Sequence, residues 1–324
     1  MILRQTVTLL LAISLSPISA LADCGMTLGW ENEGTSTVIY KDLRGTDTSR
    51  YSVFYQAKAA INTDGAPRSY HPDDAAGDRN LALNTIANAM EPRPYDRVKK
   101  QSIPCPSGGD GNCFSKWIAA FENAKASNFS IDADWWVRFS DIIPTNRTKL
   151  GEDIPCVQDS NSPAPGYYVS ATHATWERGN KCKQSIYVDA SKYNGNVLPG
   201  KSAWGRPGRP TDSFDLVVMM QDGGIPIYAI NFDSGPEKEI GEISIAAAAA
   251  LRGVDLANYQ NYKAIKSLAL THVNYLIFPE VDIKRIFKGR FTQQQLNEFG
   301  AQVFREWGGV DRLAKCAELP RLRR

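Results

Sequence analysis

The run 214–251 constrains the fold of this 324-residue chain more than any other stretch. Two apolar segments, 214–221 and 225–232, flank Asp222-Gly-Gly224, a turn sequence that joins neighbouring antiparallel strands. The second strand empties through Asn231-Phe-Asp-Ser-Gly-Pro-Glu-Lys-Glu-Ile-Gly-Glu-Ile-Ser-Ile-Ala246 into an alanine-rich helix over 244–251, which Arg252-Gly253 closes. The alanines at 246–250 have room only for close packing, so they read as a helix laid against a sheet and carry no chemistry of their own.

Around this unit the remaining elements are short and irregularly spaced. Strands are expected at 53–61, ending in the turn Asn62-Thr-Asp-Gly65, and at 137–143, 167–171, 185–188 and 273–278. A short helix over 80–90 stops before Pro92, and 116–126 reads as an amphipathic helix burying Trp117, Ile118, Ala120 and Phe121. The helix 292–307 carries a Thr292…Gln295 capping box and stops at Gly308-Gly309. The pattern is mainly β with peripheral helices, a barrel core decorated by helices and loops.

Residues 1–22 have the charged start, short apolar run and Ala20-Leu-Ala22 ending of a secretory signal peptide. The run is too short for a permanent membrane span, and Asp23 before Cys24 does not suit a lipid anchor. Residues 23–324 then form a single domain, with a Cys-, Gly- and Pro-rich insertion around 91–160. With 37 basic and 35 acidic residues, no global field attracts nucleic acid or an anionic membrane. Six cysteines in an exported chain, secreted or periplasmic, read as three disulfides. Cys105 with Cys113 would close a Gly-rich turn, and Cys24 with Cys316 would pin the ends together. No CxxC pair or histidine cluster points to a metal.

The chemistry centres on two carboxylates. Asp233 stands at the end of an apolar strand, and Glu242 opens the alanine-rich helix. Two acids either side of one tight strand–loop–helix junction hold a proton donor and acceptor toward a common cleft, as hydrolysis of a glycosidic bond requires. A helix macrodipole would keep Glu242 ionised, as a base, and leave Asp233 as the general acid. The alternative is plain capping, because Ser234…Glu237 also fits a capping box.

Three stretches resemble the glycoside hydrolase family 75 chitosanases. They are Ala60-Ile-Asn-Thr-Asp-Gly-Ala-Pro-Arg-Ser-Tyr-His-Pro-Asp-Asp74; Gly166-Tyr-Tyr-Val-Ser-Ala-Thr172 with Tyr187-Val-Asp-Ala190 and Val197-Leu-Pro-Gly200; and the 231–246 junction preceded by Phe214-Asp-Leu-Val-Val218. Phe278-Pro279 and Trp307-Gly-Gly309 fit the same order. The resemblance implies an Asp–Glu catalytic pair nine residues apart, which Asp233 and Glu242 match, and inverting endo-hydrolysis of β-1,4-linked glucosamine polymers. Ile243 departs from it, standing where the family carries a small residue. A fainter similarity of the junction to double-psi β-barrel glycan-active proteins implies a double-psi-like six-stranded β-barrel core.

Asp64, His71, Asp73 and Asp215 are candidates for the cleft, where acids would suit a cationic polymer. Trp204, in a Gly/Pro-rich loop, is a candidate sugar platform. Turn chemistry is the competing reading for the first three and the expected one for Asp74. Structural roles are expected for His173 and His272. The resulting expectation is a monomeric chitosanase-like glycoside hydrolase, without cofactor, whose partner is an aminosugar polysaccharide. The rivals are a peptidoglycan-directed glycan-cleaving enzyme, a non-catalytic expansin-like glycan-binding module, and a secreted effector or inhibitor that keeps only the scaffold.

Overall fold

The computed structural model describes residues 24–42, 51–90, 95–96, 98–102, 111–130, 132–139, 141–200 and 212–321. The expected signal peptide, Cys105 and Trp204 lie outside them.

In chain order the first strands are β1 (Thr27–Asn32), β2 (Thr37–Asp42) and β3 (Ser52–Asn62). An outer layer follows: β4 (Tyr95–Asp96), β5 (Gln101–Ser102), helix α1 (Gly111–Ala126), β6 (Trp135–Trp136), β7 (Thr145–Arg147) and β8 (Asp153–Pro155). The chain then returns to the main sheet as β9 (Gly195–Pro199), β10 (Asp215–Met220), β11 (Ile227–Gly235), β12 (Glu242–Ser244) and β13 (Leu270–Asp282). Helix α2 (Ile245–Arg252) follows β12 directly, and α3 (Tyr262–Lys266), α4 (Ile283–Ile286), α5 (Gln293–Trp307) and α6 (Gly309–Ala317) lie outside the sheet.

The sheet runs β1-β2-β3-β12-β9-β11-β10-β13, and a further β13–β3 pairing closes its last six strands into a barrel. The six-stranded barrel is therefore as expected. Its β3–β12 and β9–β11 contacts are parallel and the others antiparallel. Closure removes the edges of these six strands, while β1 stays at the end of the sheet beyond β2. One face of the barrel sheet carries Val53, Tyr55, Val217, Met219, Tyr275 and Ile277 and the other Phe54, Leu216, Val218, Ile230 and Leu276, all fully buried, as are Phe232 and Ile243. The Tyr55 and Tyr275 rings stack at 4.7 Å. Ile243, the departure from the chitosanase pattern, is one of these core residues and faces away from solvent.

The local reasons for several elements are the expected ones. The β10–β11 hairpin forms across Asp222-Gly-Gly224. Gly253 ends α2 in the left-handed conformation, while its N-cap, which sequence reasoning did not single out, is Ser244, accepting Ala247 N–H. Thr292 and Gln295 form the reciprocal capping box of α5. The Cys24–Cys316 disulfide ties the two ends, and a second joins Cys156 to Cys182.

Other expectations fail. Among the described residues, 137–139, 141–143, 167–171 and 185–188 form no strand; they make the isolated bridges Met90–Phe139, Val157–Tyr168 and Thr175–Tyr187, and 184–186 is a 3-10 turn. The helix at 80–90 shrinks to one 3-10 turn, Ile86–Ala89. Asp74 accepts the N–H groups of Arg79, Leu81 and Ala82, which holds that stretch in a loop. The 91–160 segment is more than a surface insertion. Its α1, Val137 and Ile143 build a second core with Tyr70, Ile86 and Tyr168, next to one end of the barrel. In α1, Ala120 and Phe121 are buried but Trp117 and Ile118 only half so.

Candidate functional site

A cleft of about 940 Å³ opens between the barrel end and this second core. Its barrel side carries Asn62, Asp64, Asp233 and Glu242; its outer side carries Asn84, Asn88, Phe139 and residues 141–145.

Sheet register brings the two expected catalytic carboxylates together. Val197 of β9 pairs with Asp233 of β11 on one side and with Glu242 of β12 on the other. Residues paired across a ladder point to the same face, so both side chains leave the barrel in the same direction. One intervening strand separates their backbones by roughly 9–10 Å, twice the ordinary strand spacing.

Two glycines make room for Glu242. Gly241 has φ +82°, and a Cβ there would stand 2.2 Å from the Lys58 carbonyl oxygen, so the turn into β12 admits no side chain. A Cβ on Gly235 would meet Val197 Cγ1 at 3.1 Å and Glu242 Oε2 at 3.5 Å.

The other two sequence motifs converge on the same floor. Asn62, the last residue of β3, donates from Nδ2 to Asp233 Oδ2 at 3.3 Å. The His173 backbone N–H donates to Asp233 Oδ1 at 2.9 Å. Thr172 anchors that turn by donating to the Phe232 carbonyl at 2.6 Å. Gln184 locks the first motif to the second by donating to the Gly65 and Ser170 carbonyls and accepting Ser170 N–H.

Burial is the largest influence on all three acids and disfavours their ionised forms. Glu242 is pushed up to about 7 by burial and then by the Asp233 and Glu239 charges, against the pull of Asn62 and Lys58. Asp233 is raised by burial and held back by the N–H groups of His173 and Ser234 and by Thr172 and Asn62. Asp64 is raised well above the carboxylate range by burial and by the Asp233 and Glu242 charges.

The premise behind the division of labour expected from sequence does not hold. Glu242 does not open the helix; it begins β12, two residues before the N-cap Ser244, so the macrodipole argument does not apply. Burial favours the protonated form of Glu242, and Asp233 is the one furnished with N–H donors for a carboxylate. The Ser234…Glu237 capping box is absent too, because 233–235 continues β11 alongside β9.

Of the further candidates among the described residues, only Asp64 lines the cleft. His71 packs edge-on against Tyr167 and accepts Asp73 N–H on Nδ1. Asp73 is exposed and paired with Lys125 at 2.8 Å. Asp215 is buried at the β10–β13 contact, opposite Asp282. Asp74 serves its loop, as turn chemistry predicts, and His272 pairs with Asp222 at 3.4 Å. Sequence reasoning missed Asn62, Tyr70, Thr172 and His173. Asn62 reads as an ordinary turn residue, and His173 acts through its backbone, which leaves no mark in the sequence. Among the described residues no group of three or more His, Cys, Asp or Glu is arranged to hold a metal ion, and no helix is long and apolar enough to cross a membrane.

No protein-family model matches the chain, and comparison with curated proteins finds no significant match.

Proposed function

We propose that this chain is an exported, endo-acting glycoside hydrolase that cleaves β-1,4 linkages of a glucosamine-containing polysaccharide with inversion, using Asp233 and Glu242. One observation carries the proposal: both carboxylates flank Val197 in register and face a single large cleft. Their backbone separation of roughly 9–10 Å suits the wide carboxyl spacing, about 6.5–9.5 Å, that admits a water in inverting enzymes.

In this reading Glu242, neutral up to about pH 7, donates its proton to the leaving glycosidic oxygen. Asp233, oriented by His173 N–H and Asn62, takes a proton from the water attacking the opposite face of the sugar. Asp141, Asp233 and Glu239 against Lys181 as the only lysine or arginine among the described lining residues favour a polymer bearing ammonium groups. The two disulfides agree with an oxidising compartment outside the cytoplasm.

The test is reducing-end release from soluble chitosan by residues 23–324, beside Asp233→Asn and Glu242→Gln. Each variant is expected to lose about 10²–10⁴-fold in kcat, the usual worth of a positioned acid or base. The first-formed product should have inverted anomeric configuration by NMR. Binding without new reducing ends in all three proteins would sink the hydrolase reading in favour of a non-catalytic glycan-binding module. Cleavage of peptidoglycan strands but not chitosan would move the substrate.

A further inference from the structure

A third carboxyl shares the cleft floor and has no part in the two proton transfers. Asp64 follows the end of β3 and is 8% exposed, yet it borders the cleft. Tyr70 donates its hydroxyl proton to Asp64 Oδ1 at 2.6 Å, and Asn84 Nδ2 donates to the Tyr70 oxygen at 3.1 Å. Asn84 also donates to Thr63 Oγ1 at 2.9 Å. The Asp64 backbone N–H is held by Asn62 Oδ1 at 2.6 Å. One carboxyl oxygen is thus held by Tyr70, and the backbone beside it by Asn62, both buried.

The groups facing it are Asp233 from β11, Glu242 from β12, and Tyr70 and Asn62 from its own segment. Among the described residues lining the cleft, Lys181 is the only lysine or arginine. Three carboxylates in one poorly solvated floor cannot all ionise. The competition is settled by donors. Asp233 receives His173 N–H and Asn62, and Glu242 has Asn62 and the Lys58 charge in its favour. Asp64 has Tyr70 as its main donor and is the most buried of the three.

We propose that Asp64 is held in its acid form and serves the cleft as a neutral hydrogen-bond donor, distinct from the proton-transferring pair. A carboxyl kept neutral at working pH by an apolar or anionic setting donates a strong hydrogen bond without adding charge. Its target here is a hydroxyl of the bound sugar, and that target rests on the glycan reading; the protonation of Asp64 does not.

Infrared difference spectra of the intact chain test the protonation directly. Wild type minus Asp64→Asn at neutral pH should show one carbonyl band of a protonated carboxylic acid, and Tyr70→Phe should keep that band to higher pH. Absence of the band overturns the proposal. Hydrolysis tests the donor role, because asparagine keeps a neutral donor at this position. Asp64→Asn should fall by no more than about tenfold, the equivalent of one modest hydrogen bond. Asp64→Ala should fall by about a hundredfold or more. Equal inactivity of both folded variants would overturn the donor role and mark Asp64 as an ionised base. If the wild type does not cleave chitosan, the hydrolase reading fails while the infrared band still decides the state of Asp64.

Discussion

At the scale of single residues, Asn62 has the widest reach in the site. One amide favours the ionised forms of both Asp233 and Glu242 and also holds the Asp64 backbone. Removing it should therefore move titrations as well as lower the rate. If Glu242 is the acid, kcat/KM falls as pH rises through about 7, where the donor loses its proton. If Asp233 is the base, the acid limb lies above the ordinary carboxylate range, because burial raises that group too. Asn62→Ala takes away a donor to both carboxylates, so both limbs should shift to higher pH. A pH–rate profile checks this; a lower rate with unmoved limbs would mean that Asn62 only supports the fold. None of this was legible in sequence, where Asn62-Thr-Asp-Gly65 spells a turn. The amide matters because β3, β11 and β12 bring distant segments to one barrel rim, and periodicity carries no information about that.

At the scale of elements, legibility follows how local the forces are. The β10–β11 hairpin, the stop of α2 at Gly253 and the capping box of α5 are set by residues a few positions apart, and the sequence displays them. The runs at 137–143 and 167–171 look like strands, but their described apolar residues pack into small clusters, Val137, Ile143 and Tyr168 in the second core and Val169 and Ala171 in another, and make only isolated bridges. Ser244 joins the two kinds of information. Its hydroxyl caps α2 at Ala247 N–H (3.1 Å), accepts Gly195 N–H (2.9 Å) and donates to the Tyr193 carbonyl (2.9 Å). The cap is a contact three residues along the chain; the bonds to the β9 approach span about fifty. Ser244→Ala should cost about 2–3 kcal/mol, a lost cap plus buried groups left unpaired. Denaturant unfolding should show a lower midpoint with an unchanged slope. A loss of only a few tenths of a kcal/mol would mean that the junction holds Glu242 without this hydroxyl.

At the scale of the whole molecule, the same burial that prepares the site sets how stability depends on pH. Asp215 is outside the cleft's lining, at the β10–β13 contact, and is 1% exposed. Burial pushes it up to about 7, helped by the Asp212 and Asp282 charges and opposed by the Asp212 and Glu280 N–H groups. Glu242 is raised to a similar value. A carboxyl whose folded pKa exceeds its unfolded one contributes stability that is complete below the unfolded value, near 4, and is lost as pH climbs through the folded value. Asp74 and Asp222 act in the opposite sense. Both are lowered, Asp74 because backbone N–H donors outweigh its burial and Asp222 because Asn274, His272 and Arg321 do. Their contribution is present above about 4 and is lost as the solution becomes more acid. The two sets together place the stability maximum in mildly acid solution, at roughly pH 4–5, with a decline toward pH 8. Asp215→Asn removes one ionisation and leaves an acceptor for the same N–H groups. The variant should match or fall slightly below the wild type at pH 4.5 and exceed it at pH 8 by on the order of a few kcal/mol. Thermal midpoints measured across that range should therefore converge in acid and diverge in alkali. Parallel curves would mean that Asp215 is already ionised in the folded barrel and that its donors outweigh its burial.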